Sequence, residues 1–360
     1  MKKKKIKRII IVILILLVLA VGGYFTYFLS SYQRIPNNEY LETQITGAYS
    51  YFDDNKVVNT GDYYNIITYN IGYGANTNDY SFFMDGGKYS RAKSEDGLLA
   101  NLCAITDVIY NSGASFFLLQ EVDLDGTRTF NVNEREVLND LIKGFYFNEA
   151  VCYDSPYIFY PIFDPIGKNK SAMLTYSTSR IAEGMRVSLP VSEGFNKYMD
   201  YDRCYTVSKI PTANEKMLVL YNVHLSAYSD VSVRDAQLDM LFRDMESNYK
   251  MGNYVICGGD FNMNLRDEEL ETDLTWCQRF PREKLPKGFE MGIDYGTDFS
   301  ISHNSCRNTN EPYNEDTTFT VTTDGFIVSD NVMVHYYNNM NCHYEFSDHD
   351  PVLLQIYLKE

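Results

Sequence analysis

GGDFNMN, residues 258–264, follows directly on the apolar run Tyr254-Val255-Ile256-Cys257. The apolar run reads as a buried strand. Beyond two glycines, Asp260 and Asn262 stand two residues apart, which puts both side chains on one side of an extended chain. By itself, Gly-Gly-Asp with a nearby Asn reads as a turn, because glycine supplies positive φ and Asp and Asn bond their own backbone. The rest of the chain changes that reading.

Working outward, other apolar runs carry short polar clusters at their ends. Asn70 follows Tyr69, Gln120-Glu121 follows Leu119, Asn222-Val223-His224 follows Leu220, and Ser347-Asp348-His349 precedes Pro351. Asp324-Gly325 stands at the start of the run Phe326-Ile327-Val328. Each cluster alone has an ordinary explanation as a turn, hairpin or loop. Their recurrence assembles carboxylates, asparagines and two histidines at strand ends, the inventory for a hard divalent cation and an acid/base pair. Oxygen donors such as Asn70, Glu121 and Asp348 suit Mg²⁺, or Mn²⁺ or Ca²⁺, and no Cys/His spacing points to zinc. Mg²⁺ leaves coordination positions open to water and phosphate oxygens, so phosphoryl chemistry follows.

Six ordered motifs carry a resemblance: YNI (69–71), LLQEVD (118–123), YNVHLSA (221–227), GGDFNMN (258–264), TDGFIVS (323–329) and SDHDPV (347–352). From about Gly61 to the C-terminus the sequence resembles the endonuclease/exonuclease/phosphatase superfamily, which includes type I deoxyribonucleases, neutral sphingomyelinases, apurinic endonucleases and inositol-polyphosphate phosphatases. The resemblance implies an α/β four-layer sandwich, two packed mixed β-sheets flanked by helices, with the site at one end. It implies Glu121 as principal metal ligand, with Asn70 beside it and Asp348 completing the metal environment. Asp260 and Asn262 would position the nucleophilic water and the scissile phosphate. His349 would bind and protonate the phosphoryl group, with Asp324 fixing its tautomer. His224 would act on the nucleophile or leaving group, and its N-x-H-L setting looks like the deoxyribonuclease and sphingomyelinase branches. His303, His335 and His343 match no family motif and read as structural.

The N-terminus adds a membrane. Residues 1–8 hold Lys2, Lys3, Lys4, Lys5, Lys7 and Arg8, and residues 9–29 are uncharged and mostly apolar. At 1.5 Å per helical residue this stretch spans roughly 31 Å, about the hydrocarbon thickness of a bilayer. The basic cluster is expected in the cytoplasm and the remainder outside it. A cleavable signal peptide is the competing reading, since Ala20 and Gly22 form a small-x-small pair. The aromatic continuation through Tyr24, Phe25, Tyr27 and Phe28 favours an uncleaved single-pass anchor. Residues 30–60 then read as a stalk and 61–360 as the catalytic domain.

Of the formal charge of −16, the six N-terminal cations lie before the apolar segment; the exported part carries −22. Such a field disfavours non-specific nucleic-acid binding, so nucleic acid is expected only as a substrate. The favoured reading is a phosphodiesterase or phosphatase for a small or lipid-linked phosphoester, acting as a monomer. An extracellular DNA endonuclease is the first alternative, and a non-catalytic binding protein on the same fold the second. Arg128 and Arg203 are candidates for contact with a substrate phosphate, or for surface salt bridges. The run Tyr157, Phe159, Tyr160, Phe163, broken by prolines, reads either as a lipid- or substrate-facing loop or as packing. Seven cysteines cannot all pair internally. Cys103 and Cys257 read as core thiols, while Cys277, Cys306 and Cys342 sit in polar surroundings where two of them could pair.

Periodicity supplies the elements. Helices fit Ser94 to Asn111, a segment capped by Asn133 with Glu136 and ending at Gly144, and Asp230 to Tyr249. Strands fit Tyr63–Ile71, Phe116–Leu119, Phe145–Cys152, Ala172–Tyr176, Tyr205–Lys209, Met217–Val223 and residues 254–257. Three more fit near Phe319–Thr322, Phe326–His335 and Val352–Leu358. Residues 266–315 show no usable pattern.

Overall fold

In the computed structural model, residues 2–31, 34–48, 52–53, 55–194, 197, 202–227, 229–267 and 277–360 are described. In chain order the elements begin with helix α1 (Lys2–Ser30) and the short strands β1 (Glu39–Tyr40) and β2 (Gln44–Ile45). Next come β3 (Tyr64–Asn70), α2 (Glu95–Asn111), β4 (Phe116–Gly126), α3 (Glu134–Leu141), β5 (Tyr146–Asp154), β6 (Asn169–Ser177) and β7 (Glu183–Ser188). Then follow β8 (Cys204–Pro211), β9 (Met217–His224), α4 (Val231–Lys250), β10 (Tyr254–Asp260), β11 (Met263–Asn264), β12 (Gln278–Arg279) and β13 (Phe289–Met291). The last are β14 (Cys306–Arg307), β15 (Thr320–Val321), β16 (Asp324–Ser329), β17 (Val332–Asn339) and β18 (Val352–Leu358).

Two seven-stranded mixed sheets form the body, in the orders β1-β7-β8-β9-β10-β16-β13 and β17-β18-β3-β4-β6-β5-β2. The period-2 alternation of β3 and β4 explains the layering. Ile66, Phe116 and Leu118 join the core between the sheets. Ile67, Phe117 and Leu119 turn the other way, onto Leu98, Leu102, Ile105 and Ile109 of α2 and Leu138 of α3. On the far side, α4 lays Leu238, Leu241, Phe242 and Met245 against the first sheet. The result is the expected sandwich of helices, sheet, sheet and helix.

Local chemistry fixes the helix starts. Ser94 accepts a hydrogen bond from the Gly97 amide, and Asn133 accepts one from the Glu136 amide, the N-cap arrangement that satisfies first-turn amides. At the other terminus, α1 is long and apolar enough to cross a membrane.

Several expectations are corrected. Phe326–His335 is not one strand: Asp330-Asn331 turns the chain, so β16 lies in the first sheet and β17 in the second. Within the presumed stalk, β1 pairs with β7 and β2 with β5, so residues 39–45 edge both sheets. Strand β4 runs on past Leu119 to Gly126, and β7 had no sequence reading at all. Cys103 is exposed on the outer face of α2, whereas Cys277 and Cys306 are buried together with Val321. All seven cysteines are free thiols.

Candidate active site

The register of the first sheet builds the site. His224, Asp260 and Asp324 are direct partners across β9, β10 and β16, so three functional side chains form one row at the sheet end. Both glycines before Asp260 are demanded by space. A Cβ on Gly258 would meet the Phe326 ring at 2.5 Å and Leu118 at 2.7 Å, across the sheet interface. A Cβ on Gly259, at φ +150°, would lie 2.0 Å from the Val223 carbonyl oxygen. Asp260 and Asn262 do meet, though not by strand alternation. Strand β10 stops at Asp260, and Asn262, at φ 51°, turns back so that its amide donates to Asp260 Oδ1 at 2.9 Å. Its side-chain Nδ2 holds the Leu225 carbonyl at 2.8 Å.

From the second sheet come Asn70 and Glu121. The pairing of β4 with β6 breaks between Leu119 and Val122, and Glu121 in that break has φ 55°. A bulge of this kind re-aims a side chain. Asn70 Nδ2 donates to Glu121 Oε1 at 3.3 Å and to Asp260 Oδ2 at 3.2 Å, linking the two sheets at the site. Beneath it, Gln120 donates to Asn222 Oδ1 at 2.8 Å, and Asn222 donates to the Leu119 and Leu174 carbonyls. Gln120 and Asn222 thus tie the sheets together just below the reacting groups.

Around Asp260 Oδ2 stand His224 Nε2 at 3.6 Å and His349 Nε2 at 3.8 Å. His224 Nε2 also lies 3.7 Å from Glu121 Oε1. His349 Nδ1 bonds Asp324 Oδ2 at 2.7 Å, and the same oxygen accepts from Ser305 at 2.8 Å and Thr323 at 3.1 Å. The two histidines are tuned in opposite directions. Burial, with Arg203 and His349 nearby, holds His224 well below the usual imidazole range, so it is neutral. Burial works against a charge on His349 too, but Asp324, Cys306 and Asp260 outweigh it and keep the ring cationic. Burial and the Asp324 charge push Asp260 up to about 7. Glu121 is raised by burial and then by Asp348.

That last pair bears on a metal. Glu121 and Asp348 line the same cleft and repel each other, a conflict that a divalent cation between oxygen donors removes. Asp348 and Ser347 also crowd Gly72, where a Cβ would sit 2.8 Å from Asp348 Oδ1. Asp260, Asp324 and His349 present ligand atoms within 4.8 Å of one another and could share an ion. Asp324 Oδ2 already accepts three hydrogen bonds, whereas its Oδ1 has no partner; Asn70 turns Nδ2 to Glu121, and its Oδ1 accepts from the Gly72 amide.

The cleft, about 230 Å³, brings together Glu121, His224, Asp260, Asn262, Asp348 and His349, with Arg128 and Arg203 on its wall. Arg128 is largely committed: its Nε and Nη2 grip Asp123 at 2.9 and 2.8 Å, and its guanidinium stacks 3.7 Å from the centre of the Tyr73 ring. Ser305 escaped sequence reasoning, and Cys306 was read only as a thiol that could pair, because nothing in residues 266–315 marks either for the site. Cys306 Sγ lies 3.6 Å from His349 Nε2. His303 pairs with Asp350 at 2.6 Å.

A family model for the endonuclease/exonuclease/phosphatase family matches residues 67–349. The chain belongs to that family. Its members are phosphoester hydrolases that depend on divalent metal. Among solved structures, a family protein of Beutenbergia cavernae superposes with a TM-score of 0.56 at 13% identity, covering 82% of this chain and 72% of its own. One from Bacteroides vulgatus gives 0.55 at 15%, covering 83% and 100%. A mannosyl-6-phosphatase of Bacteroides thetaiotaomicron gives 0.54 at 16%, covering 82% and 100%. At such identities the likeness is one of fold. A search of curated proteins finds no match.

Proposed function

We propose that this member of the endonuclease/exonuclease/phosphatase family is a Mg²⁺-dependent hydrolase of a small or lipid-linked phosphoester, held at the cytoplasmic membrane by α1 with its catalytic domain outside. The observation that carries the reading is the geometry at Asp260, whose Oδ2 lies 3.6 Å from His224 Nε2 and 3.8 Å from His349 Nε2, with His349 Nδ1 tied to Asp324. Burial lowers the pKa of His224, whereas Asp324 and its neighbours raise that of His349 against burial, so the pair can divide the base and acid roles that phosphoester hydrolysis uses.

Asp260, in its ionised form, orients and deprotonates the attacking water, and Asn262 fixes the carboxylate through its amide. His349 presents Nε2–H to the phosphoryl oxygens, where charge grows in the transition state, while Nδ1 stays tied to Asp324. His224 accepts or returns a proton at the nucleophile or leaving group. Glu121, Asn70 and Asp348 would hold a divalent cation, which when bound would supply Lewis-acid polarisation of a phosphoryl oxygen. Orientation follows from the basic residues that precede the apolar stretch of α1. The −22 charge beyond it speaks for a compact ester over DNA.

The full chain in detergent is expected to hydrolyse bis(p-nitrophenyl) phosphate with Mg²⁺ or Mn²⁺, and Asp260→Ala or His349→Ala to lower kcat by on the order of 10³. Unchanged turnover in both variants overturns the assignment. Rapid nicking of plasmid DNA favours the endonuclease.

A further inference from the structure

The end of α1 is packed against one particular loop beside the cleft. Tyr24 Oη donates to the Tyr157 carbonyl at 3.2 Å, and the Tyr157 amide donates to Tyr27 Oη at 3.2 Å. The Tyr24 and Phe159 rings meet edge to face at 5.1 Å. Phe28 is buried among Tyr24, Tyr153 and Ile158. These helix residues lie in the last two turns of a stretch long enough to cross a bilayer, the level where tyrosines settle at a membrane interface.

The loop beyond Ile158 is closed at its base and apolar at its tip. Ile158 and Gly167 exchange backbone hydrogen bonds, Ser90 holds Asp164 at 2.6 and 2.9 Å, and Arg91 Nε holds the Pro165 carbonyl at 2.7 Å. Between those ties Phe159, Tyr160, Ile162 and Phe163 are 57, 64, 78 and 101% exposed. Such an apolar patch is unfavourable in water, a cost that a neighbouring bilayer relieves. The patch also continues into the cleft. Tyr160 lies 5.6 Å from Phe83, and Phe82, Met84, Tyr153 and Ile166 line the cleft wall.

Resting on the phosphoesterase reading, we propose that residues 159–163 insert into the outer leaflet beside α1 and that the substrate is a phosphoester borne by a membrane lipid. With α1 and the loop gripping one another, the loop lies at the level where α1 leaves the bilayer, and the apolar wall from Phe83 to Ile166 leads from that level to Asp260 and His349. A headgroup ester then reaches the site while its acyl chains stay beside the loop.

Two readouts on the full chain in vesicles test this. In phosphatidylcholine whose acyl chains are brominated, Phe163→Trp is expected to show quenching well above the baseline of the native Trp276; emission unaffected by bromine overturns the insertion. The second readout compares turnover of bis(p-nitrophenyl) phosphate with that of vesicles carrying phosphatidic acid, phosphatidylglycerol, sphingomyelin or a phosphoinositide. At least one lipid is expected to be cleaved faster than the soluble ester, and the double change Ile162→Asp with Phe163→Asp to lower the lipid-to-soluble ratio at least tenfold. Turnover of the soluble ester with no lipid cleaved, or an unchanged ratio, overturns the lipid substrate while leaving the hydrolase intact. Absence of turnover on both substrates removes the hydrolase reading and the lipid substrate with it, whereas the quenching result bears on insertion alone.

Discussion

Asp324 accepts hydrogen bonds from Ser305, Thr323 and His349 on one carboxylate oxygen, and on the proposed mechanism its task is to hold a proton on His349 Nδ1. Replacing it by Asn keeps the shape and removes the charge. Asp324→Asn is therefore expected to lower kcat about 10²-fold or more with little change in KM, and to shift the pH profile as His349 loses its cationic form. A second residue prediction concerns stability. Asp260 has its folded pKa raised from 3.8 to about 7, so the folded state binds more protons than the unfolded one across that window. In the metal-free protein the stability that Asp260 contributes accordingly falls as pH rises from about 4 through about 7. Asp260→Asn removes that loss: its Tm in chelator is expected to exceed that of the native protein at pH 8 and to converge with it at pH 4 and below, as thermal unfolding across pH will reveal. At Gly259 the backbone decides. With φ +150° and the Val223 carbonyl in the way, Gly259→Ala is expected to destabilise by about 3 kcal/mol or more in urea unfolding.

Among elements, the cap of α2 is the simplest to weigh. Ser94→Ala leaves the Gly97 amide without its partner and is expected to cost about 1 kcal/mol by the same measurement, without touching the cleft. Elements were legible where local pattern and tertiary demand agree. The 4-3-4 spacing of Leu98, Leu102, Ile105 and Ile109 names the buried face of α2, and the unbroken apolar run 254–257 names a central strand. Legibility failed where the decisive partner is remote. Phe326–His335 reads as one apolar stretch, and only the assignment of its halves to different sheets splits it at Asp330-Asn331. The strand β1 is two residues long and fully exposed, so no periodicity exists to detect it. Glu121 was recognisable by its motif, but not the break in β4 that aims it, since pairing lies in β6.

For the whole molecule, the site exists because two sheets end together. The first contributes His224, Asp260 and Asp324 from adjacent strands, the second Asn70 and Glu121, and the loop before β18 brings Asp348 and His349. The sequence order of these residues showed the inventory and its family. The place of Ser305 and Cys306 at the site stayed hidden, because the 266–315 segment reaches the site through loops with no repeat to read. Charge tells a similar story at this scale: the cleft gathers Glu121, Asp260 and Asp348, and the proposal is that a divalent cation relieves their repulsion.

The most direct test of that claim is the rate of bis(p-nitrophenyl) phosphate hydrolysis by the chelator-treated full chain as Mg²⁺ or Mn²⁺ is titrated back. Saturable recovery of activity that Glu121→Gln weakens by at least tenfold in ion affinity is the predicted result. Full hydrolysis in excess chelator, or recovery indifferent to Glu121→Gln, would contradict it.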